Sequence, residues 1–146
     1  MINPVLHHIL SIMGETNNRI LPVGIQSFEK IRKEGLLYVD KTEIIWNLVN
    51  SNKTYNYLSR PRRFGKSLLV DTLQAYFEGR KELFEGLKIM DLEKEWVKRP
   101  VVRLDMSRAG STAHELNAYL NLAFKEYEQK YGIEASASDS LSNRFD

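Results

Sequence analysis

A chain of 146 residues that is 42% hydrophobic and 27% charged can bury a core without disulfide staples, which sets it apart from disordered and membrane-spanning classes. Lys and Arg number 21 against 19 Asp and Glu, and a net charge of +2 is too small to name a partner class. With no cysteine, disulfides and thiolate metal sites are excluded, and a reducing, cytoplasmic setting is expected.

Val5, Leu6, Ile9, Leu10 and Met13 recur with a 3.6-residue period, which predicts a helix over residues 4–13. The apolar run is short, lacks a basic stretch before it and is interrupted by His7 and His8, so neither a signal peptide nor a membrane span is expected. Residues 1–20 read as an N-terminal extension. Pro22 extends the next stretch and Gly24 loosens it. Ser27 then offers an N-cap for a helix over 28–34, with Gly35 as its stop. Residues 36–39 read as a short extended segment. Asp40, Lys41, Thr42 and Glu43 follow a capping-box pattern, in which the Asp40 carboxylate takes a free helix amide and Glu43 reaches back. The helix behind it runs to about Asn50 and is expected to bury Ile44, Ile45, Leu48 and Trp46.

Residues 54–77 organise the rest. Tyr55, Tyr57 and Leu58 have the character of a short buried strand, and Leu69, Leu73, Tyr76 and Phe77 recur at helical spacing. Between them lies a basic loop, Arg60 to Ser67, ending in Gly65-Lys66-Ser67. Strand, loop and helix in that order are the context in which GxxxxGK[ST] marks a phosphate-binding loop. Unpaired amides at the helix start then converge on one spot and favour an anion. In this reading Gly65 lets the backbone approach a phosphate, Lys66 meets the outer phosphates and Ser67 meets Mg²⁺. The cofactor-binding candidates are Arg62, Arg63, Phe64, Gly65, Lys66, Ser67 and Leu68. The leading glycine of the motif is replaced by Arg60, which lacks easy access to positive φ, so the motif is degenerate and the loop must either turn differently or hold a side chain under strain. A plainer reading is a basic surface loop ahead of an ordinary helix.

Gly79 is placed to stop the loop's helix, and residues 81–84 to add one turn before Gly86. Residues 91–98 read as a charged helical segment carrying Leu92 and Trp96 and cut off by Pro100. Residues 101–104 read as a second strand ending at Asp105, with a connection long enough for a parallel βαβ crossover. Thr112 and Glu115 form another capping box. They open a helix whose face is Leu116, Tyr119, Leu120, Phe124, Tyr127 and Tyr131 and which ends at Gly132. Residues 135–140 have the composition of a linker.

The stretch LPVGIQSFEKIRKEGLLYVDKTEIIWNLVN followed by YLSRPRRFGKSLLVDTLQAYFEGRKELFEGL resembles the predicted AAA-ATPase-like proteins of gut and anaerobic bacteria. The resemblance runs from about Leu21 to the end. It implies a P-loop ATPase core whose loop is already of the S-R-P-R-R-F-G-K-S type, so that Arg60 is a family trait. It also implies that this chain is the N-terminal part of a longer protein. Members continue into a strand ending in I-D-E-Y-D and often into a nuclease-like domain of the PD-(D/E)XK type. The expected fold is α/β, a partial P-loop NTPase of the three-layer αβα kind with few parallel strands, several helices and an incomplete sheet. The expected organisation is an extension over 1–20, the N-terminal part of the ATPase domain over 21–134 and a linker or continuation over 135–146.

Asp105 is a candidate for the acidic Mg²⁺ ligand beside Ser67. Against it, Arg103 interrupts the run, no Glu follows, and the resemblance places the acidic motif further on, so a turn cap at Ser107 is the competing reading. Lys41 and Thr42 are explained more simply by a helix cap than by a nucleotide-base contact. His7, His8 and His114 lack partners at metal-ligand spacing. The expected function is ATP binding with Mg²⁺, with hydrolysis only in the complete protein and no catalytic residue assigned. Alternatives are a basic loop that grips nucleic-acid backbone and a non-catalytic remnant that self-associates through an exposed sheet edge.

Overall fold

In the computed structural model, which describes residues 20–133, Ser27 Oγ accepts the Lys30 N–H and opens α1 (Phe28–Lys33). The expected helix over 4–13 and the linker over 135–140 lie outside the described residues. Two compact units are present, divided between Arg99 and Pro100.

The first unit is built from short helices joined by side-chain caps. The Phe28 amide at the start of α1 donates to Asp71 Oδ2 at 2.7 Å, which ties α1 to α3 (Lys66–Phe77). Ahead of helix α2 (Thr42–Val49) stands Asp40, whose Oδ1 accepts both the Thr42 amide and its hydroxyl, at 2.8 and 2.7 Å. The other carboxylate oxygen accepts the Lys88 amide at 2.7 Å, and the fully buried Thr42 hydroxyl accepts the Ile89 amide at 3.1 Å. Only the first half of the expected capping box forms, because Glu43 pairs instead with Lys88 Nζ at 2.6 Å. The result joins the start of α2 to the start of α4 (Ile89–Leu92). Of the residues expected to be buried in α2, Ile45 is, Trp46 and Leu48 are half-buried, and Ile44 is 48% exposed.

The core gathers Phe28, Ile45, Ala75, Tyr76, Leu83, Phe84, Leu87 and Ile89, with Trp96 packed against them. Phe84 comes from the 3₁₀ turn Lys81–Phe84 and lies 4.9 Å from Phe28 and 5.0 Å from Trp96, centroid to centroid. That packing overrides the helical pattern expected over 91–98. The helix stops at Leu92, Glu93 is extended, and its carboxylate takes the Tyr76 hydroxyl and the Glu95 amide. The Arg99 amide then donates to the Phe77 carbonyl at 2.7 Å.

A fork of two hydrogen bonds joins Arg80 to Glu29, at 2.7 and 2.8 Å, and Lys33 adds a third contact at 2.7 Å. Hydrogen bonding from Arg80, then from Lys33, holds the Glu29 carboxyl down at about 2 against its ordinary 4.5. A carboxylate depressed in the folded state stabilises above its unfolded pKa and loses that contribution as pH falls through the folded value. Stability is therefore expected to decline between about pH 4.5 and about pH 2. Glu29→Gln should flatten part of that decline in thermal melts across this range, and an unchanged profile would show that the fork is not populated in solution.

The second unit contains a 3₁₀ turn (Met106–Arg108) and α5 (Ala113–Tyr131). The capping box at its start is complete, with Thr112 Oγ1 accepting the Glu115 amide and Glu115 accepting the Thr112 amide. Gly132 ends it at φ 66°. Three tyrosine hydroxyls on one face of α5 hold an extended segment. Tyr131 accepts the Val101 amide at 2.8 Å, Tyr127 the Arg103 amide at 2.9 Å and Tyr119 the Asp105 amide at 2.8 Å. Tyr131 and Tyr127 also donate to the carbonyls of Val101 and Arg103.

The α/β sheet expected from the sequence is therefore not formed among the described residues. Helices make up 49% of the described residues, and among them there is no strand and no sheet. An apolar extended run becomes a strand only by exchanging backbone hydrogen bonds with a neighbour. Residues 101 to 105 exchange theirs with tyrosine side chains instead. Tyr55 and Tyr57, expected in a buried strand, are 90% and 93% exposed, so that stretch has no layer packed on it. The parallel crossover and the three-layer arrangement fall with the strands.

Candidate functional site

The loop ahead of α3 is shaped by two residues with left-handed backbone. Gly65 is the N-cap of α3 at φ 74°, a conformation it reaches without cost, and Arg63 adopts φ 67°. For a residue with a side chain that conformation costs roughly 1–2 kcal/mol. The loop thus turns with Arg63, and not Arg60, in the left-handed region, so the side chain held under strain is that of Arg63. Arg60 instead braces the loop, its Nη1 lying 3.5 Å from the Phe64 carbonyl.

From Gly65 the chain enters the helix at once. The first helical hydrogen bond runs from the Leu69 amide to the Gly65 carbonyl at 3.0 Å, so the amides of Lys66, Ser67 and Leu68 precede the bonded ladder. The Lys66 ammonium folds back over the loop and donates to the Arg60 carbonyl at 2.7 Å. Positive charge therefore stands at the mouth of a helix whose dipole already favours an anion there.

A cavity of about 680 Å³ opens at this mouth, between the loop and residues 22–26. Arg62, Arg63, Gly65, Lys66, Ser67 and Leu68 all line it, as do Pro22, Val23, Gly24, Ile25 and Gln26, and among the described residues that line it none is acidic. Phe64, the remaining candidate of the loop, does not line it and faces a neighbouring apolar pocket. The wall formed by 22–26 escapes the motif, since nothing in the spacing shows that a Pro-x-Gly turn some forty residues upstream returns to the loop. The Asp71 contact to the Phe28 amide supplies the physical link, because it fastens α3 to the helix that follows this wall.

The other sequence candidates are Lys41, Thr42 and Asp105. Thr42 is the first residue of α2 and fully buried, its amide donating to Asp40, while Lys41 is the N-cap and lines the apolar pocket beside Phe64. In the second unit, Asp105 Oδ1 accepts the Ser107 hydroxyl at 2.6 Å and its amide at 3.1 Å. Those bonds hold its carboxyl below the usual range. Among the described residues no group of three or more His, Asp or Glu is placed to hold a metal ion. The Ser67 hydroxyl offers a single neutral oxygen at the cavity. A Mg²⁺ there would draw its remaining ligands from water and phosphate, the way this ion is commonly held. No described helix is long and apolar enough to cross a membrane.

The family model described as "Predicted AAA-ATPase" matches residues 22–146. A protein of Azotobacter chroococcum mcd 1, described as "Uncharacterized protein in vnfD 5'region", is 49% identical over 86 residues. That match covers 58% of this chain and 16% of the relative, so the chain spans only a small part of the relative's length. No solved structure matches the chain.

Proposed function

The chain belongs to the predicted AAA-ATPase family, and from that premise we propose that its loop 60–67 and the first turn of α3 bind a nucleoside triphosphate. The observation that carries this reading is the convergence on one cavity of Arg62, Arg63 and Lys66 with a left-handed Gly65 at the start of a twelve-residue helix. Donors of fixed geometry and mobile cations there suit the dispersed charge of a polyphosphate.

On binding, the Lys66 ammonium exchanges the Arg60 carbonyl for the outer phosphate oxygens. The amides of Lys66, Ser67 and Leu68 meet the inner ones. Arg62 and Arg63 add guanidinium forks at the cavity wall, and Ser67 contributes its hydroxyl to a Mg²⁺ that arrives with the phosphates. Asp105 is the acidic candidate for that ion from the sequence, but its engagement by Ser107 favours the turn-capping role. Among the described residues that line the cavity no acidic one is present to orient an attacking water, and we expect turnover by this chain near background.

Lys66→Ala is the direct test. A charge-assisted hydrogen bond to phosphate is worth roughly 1.5–3 kcal/mol, so calorimetry with ATP and Mg²⁺ should show affinity lower by about 10- to 100-fold. Equal affinity in the two proteins would mean that the ammonium does not touch the phosphates, and the reading would fail.

A further inference from the structure

Between Glu43 and Asp71 the chain carries no acidic residue, while Lys53, Arg60, Arg62, Arg63 and Lys66 make the stretch basic throughout. Much of it is open to solvent. From Ser51 to Ser67 every residue is exposed except Arg60, which is half-buried, and aromatic rings stand among the cations. Tyr55 and Tyr57, expected from the sequence in a buried strand, are 90% and 93% exposed. Neither ring lines the basic cavity or the apolar pocket beside it, so the triphosphate reading leaves both without a role. Tyr57 is three residues from Arg60, a separation of at most roughly 11 Å along the chain. Rings and cations therefore share one stretch of surface.

We propose that residues 53–63 bind single-stranded nucleic acid, with unpaired bases stacked on Tyr55 and Tyr57 and the neighbouring backbone phosphates on Lys53, Arg60 and Arg62. The site stands apart from the triphosphate reading, because its rings lie outside both cavities. A tyrosine ring offers a flat face to any base, and guanidinium forks match phosphate oxygens. Cations flank the rings on both sides in the chain, so a strand that stacks its bases there meets positive charge before and after them. Bases in a duplex are already stacked on one another, so exposed rings select the single strand. Residues 55–61 are not helical and lack the continuous apolar face by which an amphipathic helix lies in a lipid surface. That favours a polynucleotide over an anionic membrane.

Fluorescence anisotropy tests this on the whole chain, without ATP, using labelled DNA and RNA strands of about 16 nucleotides. Binding of either supports the site, and the tighter of the two identifies the sugar. The Tyr55→Ala/Tyr57→Ala double variant should bind roughly thirtyfold or more weakly, whereas Tyr55→Phe/Tyr57→Phe keeps the rings and should bind as the parent does. Both rings stand in solvent, so the variants should keep the parent's melting temperature and its affinity for ATP. Affinity for a single strand falls with salt by a logarithmic slope of about 0.7 per phosphate contact. Arg62→Ala should lower that slope by about 0.7, and the Tyr→Ala pair should leave it unchanged. Equal affinity for a duplex of the same sequence, or full affinity in the Tyr→Ala pair, would overturn the stacking site. So would a parallel loss of ATP affinity in that pair, since the rings would then act by holding the loop. No binding of either strand, or tighter binding to phosphatidylserine vesicles than to both, would overturn the assignment to nucleic acid.

Discussion

Gly65→Val is expected to lower triphosphate affinity by on the order of a hundredfold or more while leaving the fold in place. The space around this residue is open, since a Cβ built there meets nothing within 4 Å, so crowding is not the reason. The reason is the backbone. At φ 74° a β-branched residue is strained, and the chain relieves the strain by rotating the loop away from its left-handed turn. Rotation re-aims the amides that enter α3, and each charge-assisted bond to phosphate is worth roughly 1.5–3 kcal/mol. Losing two of them gives the stated effect. Gly65→Asn is the control, because Asn visits the left-handed region more readily and should retain more affinity than Val. If Val and Asn bind ATP as the parent does, the curl of the loop does not set the anion seat. A loss of affinity accompanied by global unfolding would instead place Gly65 in the fold and not in the site.

Phe84→Ala is expected to cost about 3–5 kcal/mol of stability, the range for emptying a large aromatic site. Phe84 is fully buried and touches rings on three sides, Phe28 at 4.9 Å, Trp96 at 5.0 Å and Tyr76 at 6.4 Å. Those rings come from α1, α3 and the segment after α4, so one deletion loosens several elements at once. Each edge-on or tilted pair adds about 0.5–1.5 kcal/mol beyond its buried area. For a chain of this size the melting temperature should fall by roughly 10 °C. Phe84→Leu keeps most of the volume and should cost about 1–1.5 kcal/mol. A melting temperature for Phe84→Ala within a degree or two of the parent would mean that these rings do not form the core.

The two variants separate what the loop does from what the core does. Gly65 acts through a dihedral angle at a solvent-facing position, so its signal is in binding. Phe84 acts through buried area, so its signal is in stability. The core reaches the loop through Asp71, whose carboxylate takes the Phe28 amide and so relates the α3 register to α1 and to the 22–26 wall. Loosening the aromatic cluster should therefore weaken binding as a secondary effect.

The elements that could be read in advance are those whose cause lies within a few residues of chain. Ser27, Thr112 with Glu115, Gly79 and Gly132 begin or end helices because the capping group and its amide, or the left-handed residue and its carbonyl, are sequence neighbours. The Gly65-Lys66-Ser67 helix start is local in the same sense. Whether an extended run becomes a strand is not local, because it depends on which distant group accepts its hydrogen bonds. For residues 101 to 105 the partners are Tyr119, Tyr127 and Tyr131, which the helical period shows to share a face but not to reach a backbone. The helix over 91–98 was decided in the same way, when the aromatic cluster captured Trp96 and the Tyr76 hydroxyl captured Glu93. The chain's own residues determined where α1, α3 and α5 start and stop, and that a basic loop runs directly into a helix at Gly65. Only the tertiary structure decided that the described extended segments do not pair into a sheet, that Arg63 is the loop's left-handed side chain, and that residues 22–26 wall the cavity, because those outcomes depend on groups meeting from positions apart in the chain.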